Sequence, residues 1–171
     1  MYPKKKILLL ILFTGLFLFL FALWYKYEHS MDKAEEFQVN SPEYSSKLVI
    51  ATQGSDFKNA VTNEIVSHFK QDSIFIEVID VSSLSKINPK DYNAIVLIHT
   101  WENWKPPIEI EEFIKRTITY QDKIIVFTTS GQGSYKMEGV DAITGESKLE
   151  ETSFFSKVII DKLQPLIKSK L

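Results

Sequence analysis

The sequence contains no cysteine among its 171 residues. Disulfide bonds, thiolate metal ligands and an acylated lipoprotein cysteine are therefore excluded. Histidine is also scarce, because the three histidines stand far apart at positions 29, 68 and 99. No group of residues has the spacing of metal ligands, so we predict no metal site.

A surplus of positive charge is missing as well, since 20 basic residues face 22 acidic ones and the formal net charge is −2. Three of the basic residues are Lys4, Lys5 and Lys6, so the rest of the chain is mildly acidic. A nucleic-acid-binding surface normally has a basic face. We therefore expect no nucleic-acid partner.

One long apolar run is present, because residues 7–24 carry no charge and consist mostly of Leu, Ile and Phe. At about 1.5 Å per residue this helix would be ~27 Å long, close to the roughly 30 Å hydrocarbon core of a bilayer. The lysines before it favour a cytoplasmic tail at residues 1–6 and an extracytoplasmic remainder. A cleaved signal peptide is the alternative, but residues 21–24 offer no small-residue cleavage site. We predict a single-pass signal anchor that holds the chain in the lipid bilayer.

The remaining chain divides into a polar stretch and a regular pattern. Residues 25–46 show no sustained period and are predicted to be a spacer. From residue 47 onward, apolar strand patterns alternate with helical ones, and the predicted strands cover residues 47–52, 74–81, 94–98, 123–128 and 140–143. Strands that are apolar on both faces indicate a parallel sheet covered on both sides. Residues 47–171 are therefore predicted to form an α/β domain, a doubly wound parallel sheet of about five strands in a three-layer sandwich.

Three loops of this predicted fold converge at one edge of the sheet. Ligands of open α/β sheets bind beyond the carboxyl ends of the strands, where residues 52–59, 99–107 and 128–133 lie. The first loop leads into a helix whose N–H groups can hold an anion. The second loop contains Trp101 and Trp104, which offer flat faces for a planar ligand. The alternative is that both tryptophans pack under the loop and cover the end of the sheet.

The order of these loops resembles the flavodoxin-like family from residue 48 to the C-terminus. The resemblance rests on the loop Thr52-Gln53-Gly54-Ser55, the aromatic loop that ends in Pro106-Pro107, and the loop Thr128-Thr129-Ser130-Gly131. In that family the first loop binds the phosphate of flavin mononucleotide (FMN), and the later loops clasp the isoalloxazine ring. The resemblance implies FMN as a cofactor, and electron transfer with a redox partner at the membrane surface. The residues that it implies in FMN binding are Thr52, Gly54, Ser55, Lys58, Asn59, Thr100, Trp101, Trp104, Thr129, Ser130 and Gly131.

Two positions of the first loop differ from the family pattern Ser/Thr-x-Thr-Gly-x-Ser/Thr. Gln53 and Asp56 stand where the family has hydroxyl groups. A carboxylate near a phosphate dianion is repulsive by about 1–4 kcal/mol, and Lys58 would offset part of this. A second hypothesis is therefore a cofactor-free domain that binds a protein or peptide through the same aromatic edge.

Two further motifs allow a chemical and a structural interpretation. His99 ends a predicted strand with Glu102 three residues later, which suits a proton-transfer pair, although a histidine bonded to the backbone is the alternative. No nucleophile motif accompanies the pair, so we predict no catalytic residue. Residues 141–147 resemble the Asp-x-x-Ser/Thr-Gly-Ala-Ser/Thr motif of extracytoplasmic proteins that carry FMN covalently. That resemblance implies Ser147 as the acceptor, whereas a turn before the last helix is the alternative.

Overall fold

The computed structural model describes residues 2–29, 31–102 and 104–168. The chain divides into two compact units, Met1–Ser30 and Met31–Leu171. The first unit contains helix α1 (Tyr2–His29). Its segment Pro3–Tyr25 is long and apolar enough to cross a membrane, which confirms the predicted apolar N-terminal helix.

The second unit has three longer helices and seven strands among its described residues. The strands are β1 (Asp32–Lys33), β2 (Phe37–Val39), β3 (Ser46–Gly54), β4 (Ile74–Asp80), β5 (Ala94–Thr100), β6 (Ile124–Thr129) and β7 (Ala142–Gly145). The helices are α2 (Asp56–Phe69), α3 (Ile108–Arg116) and α4 (Thr152–Lys168). Short 3₁₀ turns cover Val81–Lys86, Pro89–Asp91, Ile118–Lys123 and Leu149–Glu151.

Five of the strands form the predicted parallel sheet, in the order β4-β3-β5-β6-β7. Chain order reverses between β3 and β5, so this is the point where a doubly wound sheet places its ligand crevice. The predicted α/β fold class is therefore confirmed. Two antiparallel strands add to it, because β2 pairs with β4 and β1 pairs with the last two residues of β3.

Two hydrophobic layers cover the faces of the sheet. Alternate residues of the central strands, such as Leu48 and Val96, face α2 and α4. Their neighbours, such as Val49 and Leu97, face α3 and the first 3₁₀ turn. Because successive side chains of a strand point to opposite faces, burial of both faces explains the continuous apolar runs in the sequence.

Residues 31–46 differ from the predicted spacer. They belong to the second compact unit and contain the antiparallel strands β1 and β2. Their lack of a sustained period reflects brief pairing with exposed side chains, because Asp32, Lys33 and Gln38 all face solvent. Asn40 closes this stretch with side-chain hydrogen bonds to the carbonyls of Lys70, Asp72 and Ile74. We therefore propose that the folded domain begins near residue 31 rather than 47.

Candidate functional site

The carboxyl end of β3 is covered by residues 31–36, which we call the strap. Within it, Asp32 pairs with Gly54 and Lys33 pairs with Gln53 in antiparallel register. This pairing extends β3 to Gly54, so only Ser55 separates the strand from α2. The sequence predicts a loop over residues 52–59 at the amino end of a helix. Residues 52–54 instead extend β3, because the strap supplies a backbone partner that keeps the chain extended.

Gly54 is the point of closest approach between the strap and the sheet. A Cβ atom added at Gly54 would lie 2.5 Å from the carbonyl oxygen of Lys33 and 2.9 Å from that of Asp32. No side chain fits against backbone atoms at these distances. The glycine is therefore explained by the strap, which occupies the place that the family resemblance assigns to a phosphate.

Ser55 and Lys58 form the start of α2 beneath the strap. The Ser55 hydroxyl accepts hydrogen bonds from the Lys58 backbone N–H at 3.2 Å and from its Nζ at 3.3 Å, so Ser55 caps the helix as its residue type predicts. The Lys58 side chain is fully buried, with 0% exposure. The Met31 sulfur also lies 4.0 Å from Nζ. Burial lowers the pKa of Lys58 to about 8, an effect that the negative charge of Glu102 partly opposes.

Glu102 and Gln53 connect the strap to the loop after β5. The Glu102 carboxylate accepts hydrogen bonds from the Met31 N–H and the Gln53 side-chain amide, each at 3.3 Å. The other end of the Gln53 amide accepts the Thr100 N–H at 2.7 Å. Gln53 replaces a hydroxyl residue of the family pattern. Its side chain connects β3 to β5, and its backbone pairs with Lys33 of the strap.

The β5–β6 side of this edge holds several of the other predicted site residues. The Thr100 and Thr129 hydroxyl oxygens lie 2.7 Å apart, and the Trp101 N–H donates to the Thr129 carbonyl at 3.0 Å. The Trp101 ring stacks on Tyr135, with centroids 5.0 Å apart and an interplanar angle of 5°. Tyr135 thus contacts a Trp101 face that was predicted for a flavin.

Trp104 and Gly131 lie in the open part of the same edge. Glu102 and Lys105 exchange backbone hydrogen bonds in a tight turn, and within it Trp104 has φ of +59° and is 75% exposed. Gly131 is exposed and a Cβ atom there would meet no atom within 4 Å. These two positions are therefore available to an external molecule.

Among the residues that the structure describes, two buried polar atoms in the loops after β5 and β6 have no hydrogen-bond partner. They are the Trp101 Nε1 and the Ser130 hydroxyl, whose residue is only 6% exposed. Most buried polar groups in proteins are hydrogen-bonded, so each is a place where an added ligand or water atom would be stabilised. Both residues belong to the set that the family resemblance implies.

Thr52 and Asn59 line a different hollow, between the strap and α2. Its volume is about 130 Å³, and Ala34, Glu35 and Thr62 also contribute to its wall. Ligand pockets for drug-sized molecules range from about 300 to 1,000 Å³, so this hollow is too small for a flavin. The predicted phosphate residues are therefore split between a covered helix start and a small side hollow.

His99 and Glu102 do not form the suggested proton-transfer pair. His99 is fully buried, its Nε2 lies 3.1 Å from the Thr128 hydroxyl, and its Nδ1 has no partner. Burial is the main effect that lowers the pKa of His99 to about 4, and the positive charge of Lys58 lowers it further. A histidine that stays neutral at physiological pH inside the sheet edge fits the structural interpretation.

The site also includes residues that sequence reasoning missed. Met31 and Asp32 lay inside the predicted spacer, and Tyr135 lay in a loop without a pattern. Gln53 was noticed only as a departure from the family loop. A glycine that follows an uninterrupted apolar strand was the available signal for a close approach of another backbone.

Comparisons with known proteins bear on the fold. No protein-family model matches the sequence, and no curated protein is similar to it. The solved flavodiiron core of Flv1 from Synechocystis sp. PCC6803 matches with a TM-score of 0.55 and 10% identity over 74% of this chain and 37% of that one. A flavodoxin from the domain Archaea gives 0.48 and 14% over 70% and 98% of the two chains. General stress protein 14 of Treponema denticola, solved in complex with FMN, gives 0.33 and 12% over 68% and 79%. The likeness to the flavodiiron core, whose TM-score is above 0.5, concerns the fold alone, and that fold is flavodoxin-like.

The residues at the edge of the sheet do not fit FMN in this conformation. Gly54, which the family resemblance implies in phosphate binding, lies against the strap backbone, because a Cβ added there would be 2.5 Å from the Lys33 carbonyl oxygen. The Trp101 ring already stacks on a side chain of the same protein. Bound FMN would therefore require at least the strap to move.

Proposed function

We propose that this chain is a membrane-anchored flavodoxin-like protein whose folded domain works without bound FMN, as a protein-binding module. Residues 7–24 would anchor it in the bilayer, residues 1–6 would lie in the cytoplasm, and the domain from about residue 31 would lie outside. The lysines at positions 4–6 support this orientation. A reporter fused after the C-terminus should be active only in an extracytoplasmic compartment, and a cytoplasmic signal would contradict the topology.

The observation that carries the cofactor-free proposal is the contact between the strap and Gly54. A phosphate needs free N–H groups and open space at the start of α2. Here Ser55 caps that start. Two residues before α2, the Lys33 and Asp32 carbonyl oxygens lie 2.5 and 2.9 Å from where a Cβ on Gly54 would be. Carbonyl oxygens would repel a phosphate, so they are the wrong chemistry as well as an obstacle.

The exposed hydrophobic residues near this edge support a protein partner. Trp104 is 75% exposed, and Ile108, at the start of α3, is also exposed. The backbone hydrogen bonds between Glu102 and Lys105 hold the Trp104 turn in place. Tryptophan is enriched among the residues that dominate protein–protein binding energy, and a preformed turn reduces the entropic cost of using it.

The cofactor-free state is tested by titrating FMN into the purified full chain in detergent micelles. We expect no flavin absorbance band to remain with the protein after gel filtration, and no change in its melting temperature. Empty micelles of the same detergent control for non-specific partitioning of FMN. A stoichiometric flavin band, or a melting temperature that rises with FMN concentration, would contradict the proposal.

Partner binding is tested by placing a photo-crosslinking amino acid at position 104 in cells. We expect one discrete cross-linked species that disappears when Ile108→Glu is added. The matched control carries the same amino acid at Lys115, an exposed position on α3. Equal cross-linking from both positions, or none from position 104, would argue against a binding surface at Trp104.

A second candidate function is electron transfer through bound FMN. The unpartnered Trp101 Nε1 and Ser130 hydroxyl favour it, because both lie in the loops that would clasp a flavin ring. When bound, FMN would supply the redox chemistry, and these two residues would hydrogen-bond and orient it.

Ser147, the residue implied in covalent attachment, is exposed before α4. An intact-mass measurement tests covalent attachment. A flavin-sized mass addition that maps to Ser147 would support it, and an unmodified mass would contradict it.

A further inference from the structure

The strap is held mainly by polar contacts. Among residues 31–36 only Ala34 is buried, whereas Asp32, Lys33, Glu35 and Glu36 are exposed. Beyond the β1 pairing, the Met31 N–H donates to the Glu102 carboxylate, and the Ala34 N–H donates to Asp80 Oδ2 at 2.9 Å. Glu36 Oε1 accepts hydrogen bonds from the Asp80 N–H and the Ser83 hydroxyl. Segments with few buried apolar contacts open at lower free energy than the core.

The closed strap keeps a charged group away from water. The Lys58 ammonium has three donors, but among the described residues it contacts the neutral Ser55 hydroxyl and, at 4.0 Å, the Met31 sulfur. Its side chain forms no ion pair within 4.0 Å in the described part of the chain. Burial of a poorly paired charge is unfavourable. The closed strap is therefore stabilised by a few hydrogen bonds and the β1 pairing. The open strap is stabilised by the hydration of the Lys58 ammonium.

We propose that residues 31–36 are a displaceable strap, which detaches from the end of β3 while the remainder of the domain stays folded. Detachment exposes Lys58 and frees the backbone groups of Gln53 and Gly54. These groups then form a short unpaired strand end next to a cation at the start of α2. The strap thus acts as an internal occupant that keeps this part of the edge closed, whether or not Trp104 binds a partner.

Protonation of Lys58 connects this opening to pH. The charged groups that face Lys58 are Glu102 in the loop after β5, which favours the ammonium, and His99 on β5, which stays neutral because burial lowers its pKa to about 4. Ser55 and the strap residue Met31 add only neutral contacts. Because burial lowers the pKa of Lys58 to about 8, its protonated form gains most from opening. The strap should therefore open more often below about pH 8 than above it.

The experiment is pulsed acetylation of lysine side chains in the full chain in micelles, read by mass spectrometry. The exposed Lys105 serves as the internal standard for reagent activity. Acetylation rates are divided by the fraction of unprotonated amine at each pH, so that they report access alone. We expect Lys58 to react at least tenfold more slowly than Lys105, at a rate that is nearly independent of denaturant until global unfolding begins. If Lys58 reacts only with the full denaturant dependence of global unfolding, or as fast as Lys105, the strap is not a locally opening element.

A matched pair of variants tests the same proposal at Ala34. Ala34→Pro removes the N–H that donates to Asp80, whereas Ala34→Gly keeps it. We expect Ala34→Pro to raise the Lys58 acetylation rate about tenfold, and Ala34→Gly to change it clearly less. Equal rates in both variants and the native chain would overturn the proposal. The denaturant profile of the native chain decides it even where Ala34→Pro does not fold.

Discussion

The two halves of the carboxyl edge are closed in different ways. On the β3 side, backbone pairs with backbone: Asp32 and Lys33 lie across Gln53 and Gly54. On the β5–β6 side, the Trp101 ring stacks on Tyr135, Trp104 is exposed, and buried polar atoms remain unpartnered. The first half leaves only the hollow of about 130 Å³ beside Thr52 and Asn59, whereas the second still has groups that an external molecule would satisfy. A flavodoxin-like sheet can therefore lose one part of its ligand crevice and keep another.

Replacing one glycine in each half should show the largest difference in stability between the two halves. Gly54→Ala places a Cβ 2.5 Å from the Lys33 carbonyl oxygen, so the strap or the strand must shift. We expect a loss of about 2–3 kcal/mol in the free energy of unfolding, measured by denaturant titration. Gly131→Ala is the control, since nothing lies within 4 Å of its Cβ, and it should change stability by less than about 0.5 kcal/mol. Equal losses in both variants would mean that the strap does not press on Gly54.

The pH dependence of stability tests the burial of Lys58. Its pKa is about 8 in the folded state and near 10.5 when unfolded, so the unfolded chain binds more protons between these values. Stability should therefore rise with pH from about 8 to 10.5, by up to ~3 kcal/mol. Lys58→Met removes the titrating group and should flatten the curve in this window. An unchanged slope in Lys58→Met would show that another group causes the rise.

A smaller effect is expected from the helix cap on the covered side. Ser55→Ala removes the hydroxyl that accepts both the Lys58 N–H and its Nζ. We expect a loss of about 1 kcal/mol in the free energy of unfolding, as for other N-cap serines. The exposed Ser147, whose replacement by alanine should change stability by less than about 0.5 kcal/mol, is the control. If the two variants are equally stable, the Ser55 cap contributes little.

The smallest effect on stability is expected on the open half. Trp104→Ala removes a side chain that is 75% exposed, so the free energy of unfolding should change by less than about 0.5 kcal/mol. Trp101→Ala should cost more, because it removes the half-buried ring that stacks on Tyr135. The reverse order, with the larger loss from Trp104→Ala, would mean that Trp104 packs against the domain instead of facing solvent.

The parallel sheet could be predicted from the sequence because burial on both faces leaves a strong signal. The runs at residues 48–51 and 94–98 contain only apolar residues, and both lie in central strands. The strap could not be predicted in the same way. Its two paired residues, Asp32 and Lys33, bury backbone and not side chains, so no hydrophobic period marks them. The Ser55 cap depends on local chemistry alone, since a serine before a helix accepts a backbone N–H.

The covered half of the site therefore depends on a contact between residues far apart in the sequence. Gln53 and Asp56 signalled that the first loop departs from a flavin-binding loop, but the departure alone did not show what replaces the phosphate. The family resemblance implied Lys58 near a phosphate, whereas its side chain is fully buried with the Met31 sulfur 4.0 Å from Nζ. Local patterns determine helices and strands, and they carry little information about which distant backbone completes a strand.

The most direct test of strap docking uses the absence of native cysteine. Lys33 and Gln53 are partners in the β1–β3 register, and directly opposed antiparallel residues are close enough for a disulfide. In the full chain in micelles, Lys33→Cys combined with Gln53→Cys should form an intramolecular disulfide rapidly under mild oxidation. Lys33→Cys combined with Ser147→Cys serves as the slow reference pair. If the 33–53 pair oxidised no faster than that reference in a folded protein, the strap would not lie across β3, and the cofactor-free interpretation of this edge would fail.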